Sequence, residues 1–331
     1  MSASSSDNDS MILPQSWYPV CRSSDVKLKQ VRLISLFDKQ WVLYRTTKGE
    51  ISALARYCCH MGVDLTCGRV EGEHLICPLH CWAFDLSGRC VRIPVSEKIP
   101  KTAKQKFLPV VEKFGLIFVF WGDEVLYELP DFPGLTSPII DKPKLIPLNA
   151  PYYSITLNGF DTQHFSFIHN RHIIGEPMIE SESPLHLSIQ FKARVGLKHW
   201  IDYLTKSLGY DEIEFRLDCW GGNLIYVTNG STGFRALLAL APISDSACQA
   251  YFIGAMNDDH SSWWGRLWLR SRLLLTGVLG KQFLNPDVPV LKGMQPVPGV
   301  LLSQEDSSAI KFWQYWHKLP RFQSFKQKRK S

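Results

Sequence analysis

With 331 residues, 45% of them hydrophobic and 12% aromatic, the chain is long and apolar enough for two buried cores. The formal net charge of +6 is partly local, since Arg321, Lys326, Lys328, Arg329 and Lys330 crowd a tail at 321–331 that is expected to be solvated; nothing further supports nucleic-acid binding. No uninterrupted apolar run reaches the roughly eighteen residues of a bilayer span. The polar start MSASSSDNDS also lacks the basic beginning and apolar core of a secretory signal, so a soluble, cytoplasmic protein is expected.

A β-rich block comes first, from about Trp17 to Asp123. Its strand candidates, 31–45, 51–54 and 115–121, are short, rich in Val, Ile and Phe, and punctuated by turns such as Thr47-Lys48-Gly49. Within it, Cys58-x-His60 and Cys77-Pro-Leu-His80 stand sixteen residues apart, which puts two thiolates and two imidazoles on two adjacent loops. The pattern suits a Rieske [2Fe-2S] centre, where two Cys hold one iron and two neutral His hold the other, raising the potential. Cys and His also hold structural zinc. Zinc pairs usually repeat one spacing type, whereas each pair here is mixed and Gly62, Gly68, Gly72 and Gly88 take turn positions between β-type runs. Six of the nine cysteines fall between Cys58 and Cys90. The spare ones, Cys59, Cys67, Cys81 and Cys90, are expected to be small buried side chains rather than disulfide partners.

Residues 129–150 are proline-rich and predict an ordered, irregular linker. Next, NGFDTQHFSFIH sets Asn158, Asp161, His164 and His169 at the spacing Asn-x2-Asp-x2-His-x4-His. Histidines five apart on a helix lie about 140° apart around its axis, so only a bend or the helix end can aim both at one atom. Otherwise Phe165, Phe167 and Ile168 would suit an ordinary core helix. Beyond it, Leu187, Ile189, Phe191, Ala193 and Val195 alternate on one face, and Ile213, Phe215, Leu217 and Cys219 repeat the pattern. A half-buried antiparallel sheet is expected, extended by 224–228, 234–241 and 250–256. Aromatic residues such as Tyr203, Phe215, Tyr226, Phe234 and Phe252 permit an apolar ligand and equally serve as core. Trp264, Leu267, Trp268, Leu275 and Val278 then recur at helical spacing, with Arg266 and Arg270 on another face. Such a helix can lie on a membrane. The commoner use, expected here, is to pack that apolar face over the sheet.

The stretch 58–90, CCHMGVDLTCGRVEGEHLICPLHCWAFDLSGRC, resembles the Rieske domain of ring-hydroxylating oxygenases, with Met61 where that family often has Arg and Cys81 where it usually has Gly. Taken with 158–169, the chain from SWYPV near Trp17 to about His317 resembles the α subunits of Rieske non-haem iron oxygenases, of the α-only, homotrimeric type. The resemblance implies an α+β chain: an all-β Rieske [2Fe-2S] domain at 15–128, the linker at 129–150, a helix-grip catalytic domain at 151–320 (an antiparallel sheet with covering helices), and the basic tail at 321–331. It implies Cys58, His60, Cys77 and His80 as cluster ligands, and His164 and His169 as ligands of a mononuclear Fe(II). Two His need a carboxylate to complete a facial triad. The family's position for it, after the helix and before a Gln (here Gln295), points to Asp287 in FLNPDVPVLKGMQ; the rivals Asp258, Asp259 and Glu305 sit in polar loop contexts. Asn158 and Asp161 would be catalytic-site residues, with Asp161 bridging His80 of one subunit to His164 of the next in a head-to-tail trimer.

The implied activity is oxygen activation for hydroxylation, dealkylation or desaturation of an apolar, aromatic or polycyclic molecule. No G-x-G-x-x-G or flavin fingerprint is present, so reducing equivalents from NAD(P)H would arrive through a separate ferredoxin or flavin reductase. A basic surface would attract an acidic donor of this kind. A function of another class, an electron-transfer protein whose second domain merely binds an apolar ligand, would need only the first motif; the complete set at 158–169 argues against it.

Overall fold

A computed structural model describes residues 13–36, 39–198, 200–259, 262–294 and 304–322. The chain divides into two compact units: one runs to Tyr127 and takes back Arg321 and Phe322, and the other is Glu128–Pro320.

In the first unit, the Val-, Ile- and Phe-rich runs form antiparallel sheets. One joins Val110–Lys113, Leu116–Trp121 and Ser16–Arg22; a second joins Phe107–Leu108, Ile51–Ala55, Lys39–Arg45 and Val31–Leu36. The run at 31–45 is therefore two paired strands, Val31 opposite Tyr44 and Leu36 opposite Lys39. All six side chains of Leu116–Trp121 are buried, which is why this strand reads as a continuous apolar run instead of alternating. A third, small sheet of Arg69–Glu71, His74–Ile76, Ala83–Phe84 and Cys90–Arg92 is flanked by the two Cys/His loops. Leu75 and Phe84 from this sheet share one buried cluster with Val42, Leu54, Cys58 and Cys77. Arg321 and Phe322, expected in a solvated tail, instead pair with Leu13–Pro14, because Phe322 buries its ring edge-on to Trp121 at 5.5 Å. Lys326, Lys328, Arg329 and Lys330 lie outside the described residues, as does Gln295.

The second unit is built on an eight-stranded antiparallel sheet in the order Pro138–Ile140, Ala247–Asn257, Arg235–Ser244, Leu224–Asn229, Glu212–Trp220, His186–Val195 and Arg171–Glu180, with Lys144–Leu148 also paired to Ala247–Asn257. Along His186–Val195 the alternation is plain: Ile189, Phe191, Ala193 and Val195 are buried, Lys192 and Arg194 exposed. Two of the eight strands come from the stretch expected to be irregular. Their prolines are tolerated because they lie at the sheet edge; Pro147, opposite Gln249, leaves no ladder bond open on an outer strand.

Among the described residues, six α-helices accompany this sheet: α1 (Tyr152–Phe160), α2 (Thr162–Phe167), α3 (Trp200–Ser207), α4 (Trp263–Leu284), α5 (Asp287–Leu291) and α6 (Ser307–Lys318). α6 holds α1 in place: Phe160 stacks on Phe312 at 5.4 Å and Trp316 meets Tyr152 at the same distance. The fit is close at Gly222, whose φ of +79° suits glycine and where a Cβ would stand 2.5 Å from the Trp316 ring.

α4 does cover the sheet, but not with the expected face. Leu269, Leu273 and Gly277 are buried, the two leucines against Phe234, Ala236, Phe252 and Met256. Trp264, Leu267, Trp268, Leu275 and Val278 are exposed. The helix is apolar on two sides, so periodicity offers two candidate faces, and only the shape of the sheet selects the slimmer one. No helix among the described residues is long and apolar enough to cross a membrane.

Candidate metal centres

The first Cys/His pair sits on a tight turn, in which Cys58 N donates to Val63 O at 2.8 Å and Gly62 N to Cys58 O at 2.8 Å. The second turn repeats the device: Cys77 N donates to Trp82 O at 2.9 Å and Cys81 N to Cys77 O at 3.1 Å. Turns of this kind point backbone N–H groups and thiols inward. The result separates the ligands by polarity, with Cys58 and Cys77 buried and His60 and His80 exposed. The two imidazole rings are 4.9 Å apart, and His60 stacks flat on Trp82 at 4.3 Å. Two buried thiols behind two exposed, neighbouring imidazoles fit a Rieske cluster, whose His-ligated iron faces outward. All nine cysteines are free, but only Cys90 of the four spare ones is buried; Cys59 and Cys67 are exposed and Cys81 is half-buried.

Cys81 adopts φ +54°, the left-handed region that costs a residue bearing a Cβ roughly 1–2 kcal/mol. This is the position where the resembled family has glycine, and the backbone explains the preference. Cys81→Gly is expected to raise stability by about 0.5–1 kcal/mol, after glycine's own entropic term, while leaving the cluster's absorption unchanged. Thermal melting followed in the visible range checks it; a lower midpoint would show that the thiol, 4.0 Å from Arg69 Nη2, supports the loop.

The second centre rests on a helix break. α1 stops at Phe160, Asp161 is extended (φ −82°, ψ 103°), and α2 begins at Thr162 with Asp161 as its N-cap. Asp161 Oδ1 accepts from Gln163 N at 2.9 Å and His164 N at 3.4 Å. α2 then ends at Phe167, and Asn170, at φ +52°, turns the chain into the next strand. His169 thus lies just past the helix end, which brings its ring to 5.1 Å from that of His164. Asp287 arrives from the other side as the first residue of α5. Among the described residues, His164, His169 and Asp287 are all buried and place one ligand atom each within 4.8 Å of one another.

The electrostatics suit a divalent cation. His164 Nδ1 faces the carbonyl oxygen of Asp161, which can only accept, so Nδ1 carries the proton and Nε2 keeps its lone pair for a metal. Burial holds the His164 imidazole below its ordinary pKa and therefore neutral. Asn158 Nδ2 stands 3.3 Å from His164 Nε2. His169 Nε2 is 3.1 and 3.2 Å from the two Asp287 oxygens. Two imidazoles and one carboxylate, converging in a buried site, are the donor set of a facial triad with positions left open. Of the rival carboxylates, Asp258 pairs with Arg266 at 3.2 Å, Asp259 accepts from Asn257, and Glu305 is exposed. Among the described residues no hydrogen bond reaches Oδ2 of Asp161.

The Rieske [2Fe-2S] domain family matches residues 16–107. Over 91% of its length the chain is 24% identical to aminopyrrolnitrin oxygenase PrnD of Pseudomonas fluorescens, and the match covers 89% of that protein. The chain is a Rieske non-haem iron oxygenase α subunit. It is also 33% identical over 167 residues to cholesterol 7-desaturase nvd 1 of Ciona intestinalis, covering 49% of this chain and 36% of that one. Dicamba monooxygenase bound to dicamba has the same fold, with a TM-score of 0.65 at 18% identity over 92% of this chain and 97% of that structure. The oxygenase is accordingly an α+β protein with its Rieske domain first and a sheet with covering helices after it.

Several residues that position the oxygenase's two centres carry no sequence signal. Gln105, wholly buried, ties down the first cluster loop: its Nε2 donates to the carbonyls of Ala55 (2.7 Å) and Tyr57 (2.6 Å), and its Oε1 accepts from Cys59 N (2.8 Å). Arg171 Nη1 donates to Asp202 Oδ1 at 2.6 Å and to the His169 carbonyl at 3.1 Å, which anchors that histidine's backbone. Phe283, four residues before Asp287, stacks on the His169 ring at 4.0 Å. Of the five aromatics named as candidates for an apolar site, Phe215 alone joins this group, 6.2 Å from Phe283. Phe234 and Phe252 serve the α4 contact, and Tyr226 donates to Pro130 O at 2.8 Å.

Proposed function

We propose that this α subunit works in the cytoplasm as the oxygenase component of a multi-protein system, with 15–128 as its electron-accepting domain and 151–320 as its catalytic domain. The observation that carries the reading is the buried His164, His169 and Asp287 group in the same chain as the two Cys/His loops. When bound, a mononuclear Fe(II) supplies oxygen activation at that group, and a [2Fe-2S] cluster on Cys58, His60, Cys77 and His80 supplies an electron. The chain's own residues do the rest. Asp161 fixes the His164 tautomer through its carbonyl and caps α2 with one carboxylate oxygen, which leaves Oδ2 to accept from His80 of a neighbouring copy in a head-to-tail homotrimer. Asn158 Nδ2 stands 3.3 Å from His164 Nε2, beside the atom that would hold the metal, and the rings of Phe165, Phe215 and Phe283 keep water from the buried histidines.

The aromatic surroundings favour an apolar aromatic or polycyclic substrate, turned over by hydroxylation, dealkylation or desaturation; the named relatives include an oxygenase, a desaturase and a monooxygenase. Reducing equivalents come from NAD(P)H through a ferredoxin or flavin reductase, docked by charge on the basic chain. Metal and sulfide analysis of anaerobically purified protein, followed by oxygen-uptake assays with such a donor, tests the proposal. A Rieske spectrum with one additional iron per chain and donor-dependent oxygen uptake is expected. Zinc alone, or a cluster with no mononuclear iron and no oxygen uptake, overturns it.

A further inference from the structure

The outward face of α4 has no function in either metal centre. Trp263, Trp264, Leu267, Trp268, Leu275 and Val278 are each 47–64% exposed, and at 100° per residue they form one stripe spanning roughly 140° of the helix circumference. This stripe lies opposite Leu269, Leu273 and Gly277, which face the sheet. Trp263 and Trp264 stack at 3.6 Å, and the Arg272 guanidinium lies over the Trp268 ring at 5.5 Å. A contiguous apolar patch of this extent on a soluble surface marks an interaction site.

The charge pattern selects the partner. From Trp263 to Leu284 the helix contains Arg266, Arg270, Arg272 and Lys281 and not one Asp or Glu. Arg270 and Lys281 lie along one border of the apolar stripe and Arg272 along the other, by the same angular count, whereas Arg266 lies in the sheet-facing sector and pairs with Asp258 at 3.2 Å. Tryptophans beside an apolar stripe with basic borders are the composition of helices that lie in the headgroup region of anionic bilayers. Twenty-two residues would be long enough to span a bilayer, but four charges along the helix exclude that arrangement.

We propose that α4 is a peripheral membrane-docking element, which seats the second unit on an anionic lipid surface through its outward tryptophan and leucine face. The inference does not depend on the metal chemistry. Its consequence for that chemistry is direct, because α4 runs into Phe283 against His169 and then into Asp287. Docking would set the metal site beside the bilayer, the natural reservoir of apolar substrates.

Vesicles of phosphatidylcholine, with and without phosphatidylglycerol, are to be sedimented with the full-length, metal-loaded protein while tryptophan emission is followed. Binding with a blue shift is expected on phosphatidylglycerol-containing vesicles, weakened by added salt and by the lack of anionic lipid. The triple variant Trp264→Ser, Leu267→Ser, Trp268→Ser is expected to lose it. Arg270→Gln and Lys281→Gln, which leave the apolar face and the fold untouched, are each expected to weaken it about fivefold. Failure of the unaltered protein to bind anionic vesicles overturns the proposal, as does binding to them that the Gln variants leave unchanged. So does dissociation of the native oligomer by the triple variant in light scattering, since the stripe would then be a contact between copies.

Discussion

Asp287→Ala is expected to abolish turnover and empty the mononuclear iron site while leaving the Rieske absorption at full intensity. Asp287 is the single carboxylate in a buried trio, and without it two imidazoles would face a divalent cation with no negative charge beside them. Both of its oxygens lie within 3.2 Å of His169 Nε2, whereas Asp258 pairs with Arg266, Asp259 accepts from Asn257 and Glu305 is exposed. Loss of a ligand should exceed the roughly 10–100-fold effects of removing groups that merely orient ligands. The two Cys/His loops proposed to hold the cluster belong to the other compact unit, which is why the visible spectrum is expected to persist. Iron analysis and single-turnover oxygen consumption measure the two halves of this expectation. Full iron and full turnover in Asp287→Ala would place the carboxylate elsewhere.

Cys77→Ala has the second-largest expected effect: loss of the cluster and a weakened first unit. Cys77 is buried in the same cluster of side chains as Cys58, Leu75 and Phe84, and its loop is closed by only a few backbone bonds, so cluster binding and local folding are coupled. The variant keeps its own His164, His169 and Asp287, whereas His164→Ala keeps a sound cluster and lacks the iron. If electrons pass between subunits, co-expressed mixtures of these two inactive proteins recover activity, because about a quarter of the sites in randomly mixed closed trimers join a sound cluster to a sound iron. Mixed trimers verified by mass that stay inactive would confine transfer to one chain.

Much of this protein was legible from local sequence. Cys58, His60, Cys77 and His80 lie close together along the chain, so spacing alone implied a common centre. The alternation at 187–195 and 213–219 marked the strands because one face of each is buried. The five-residue step from His164 to His169 called for a bend or a helix end if both were to meet at one atom, and α2 stops at Phe167.

What the tertiary structure decided concerns partners distant in sequence. Asp287 meets His169 across 118 positions, and no periodicity links a carboxylate after a long helix to a histidine before a sheet; only the family likeness pointed to it. Gln105 and Phe283 have no motif, since each acts by filling a place that other segments create. The strands at 138–140 and 144–148 were hidden by prolines whose cost vanishes at a sheet edge, and the edge is a property of the whole sheet. α4 shows the limit most clearly. Its sequence determined that a helix forms and that it is apolar on two sides. Which side is buried depends on the surface it meets, and Phe234, Phe252 and Met256 accept Leu269 and Leu273, leaving the tryptophans outside.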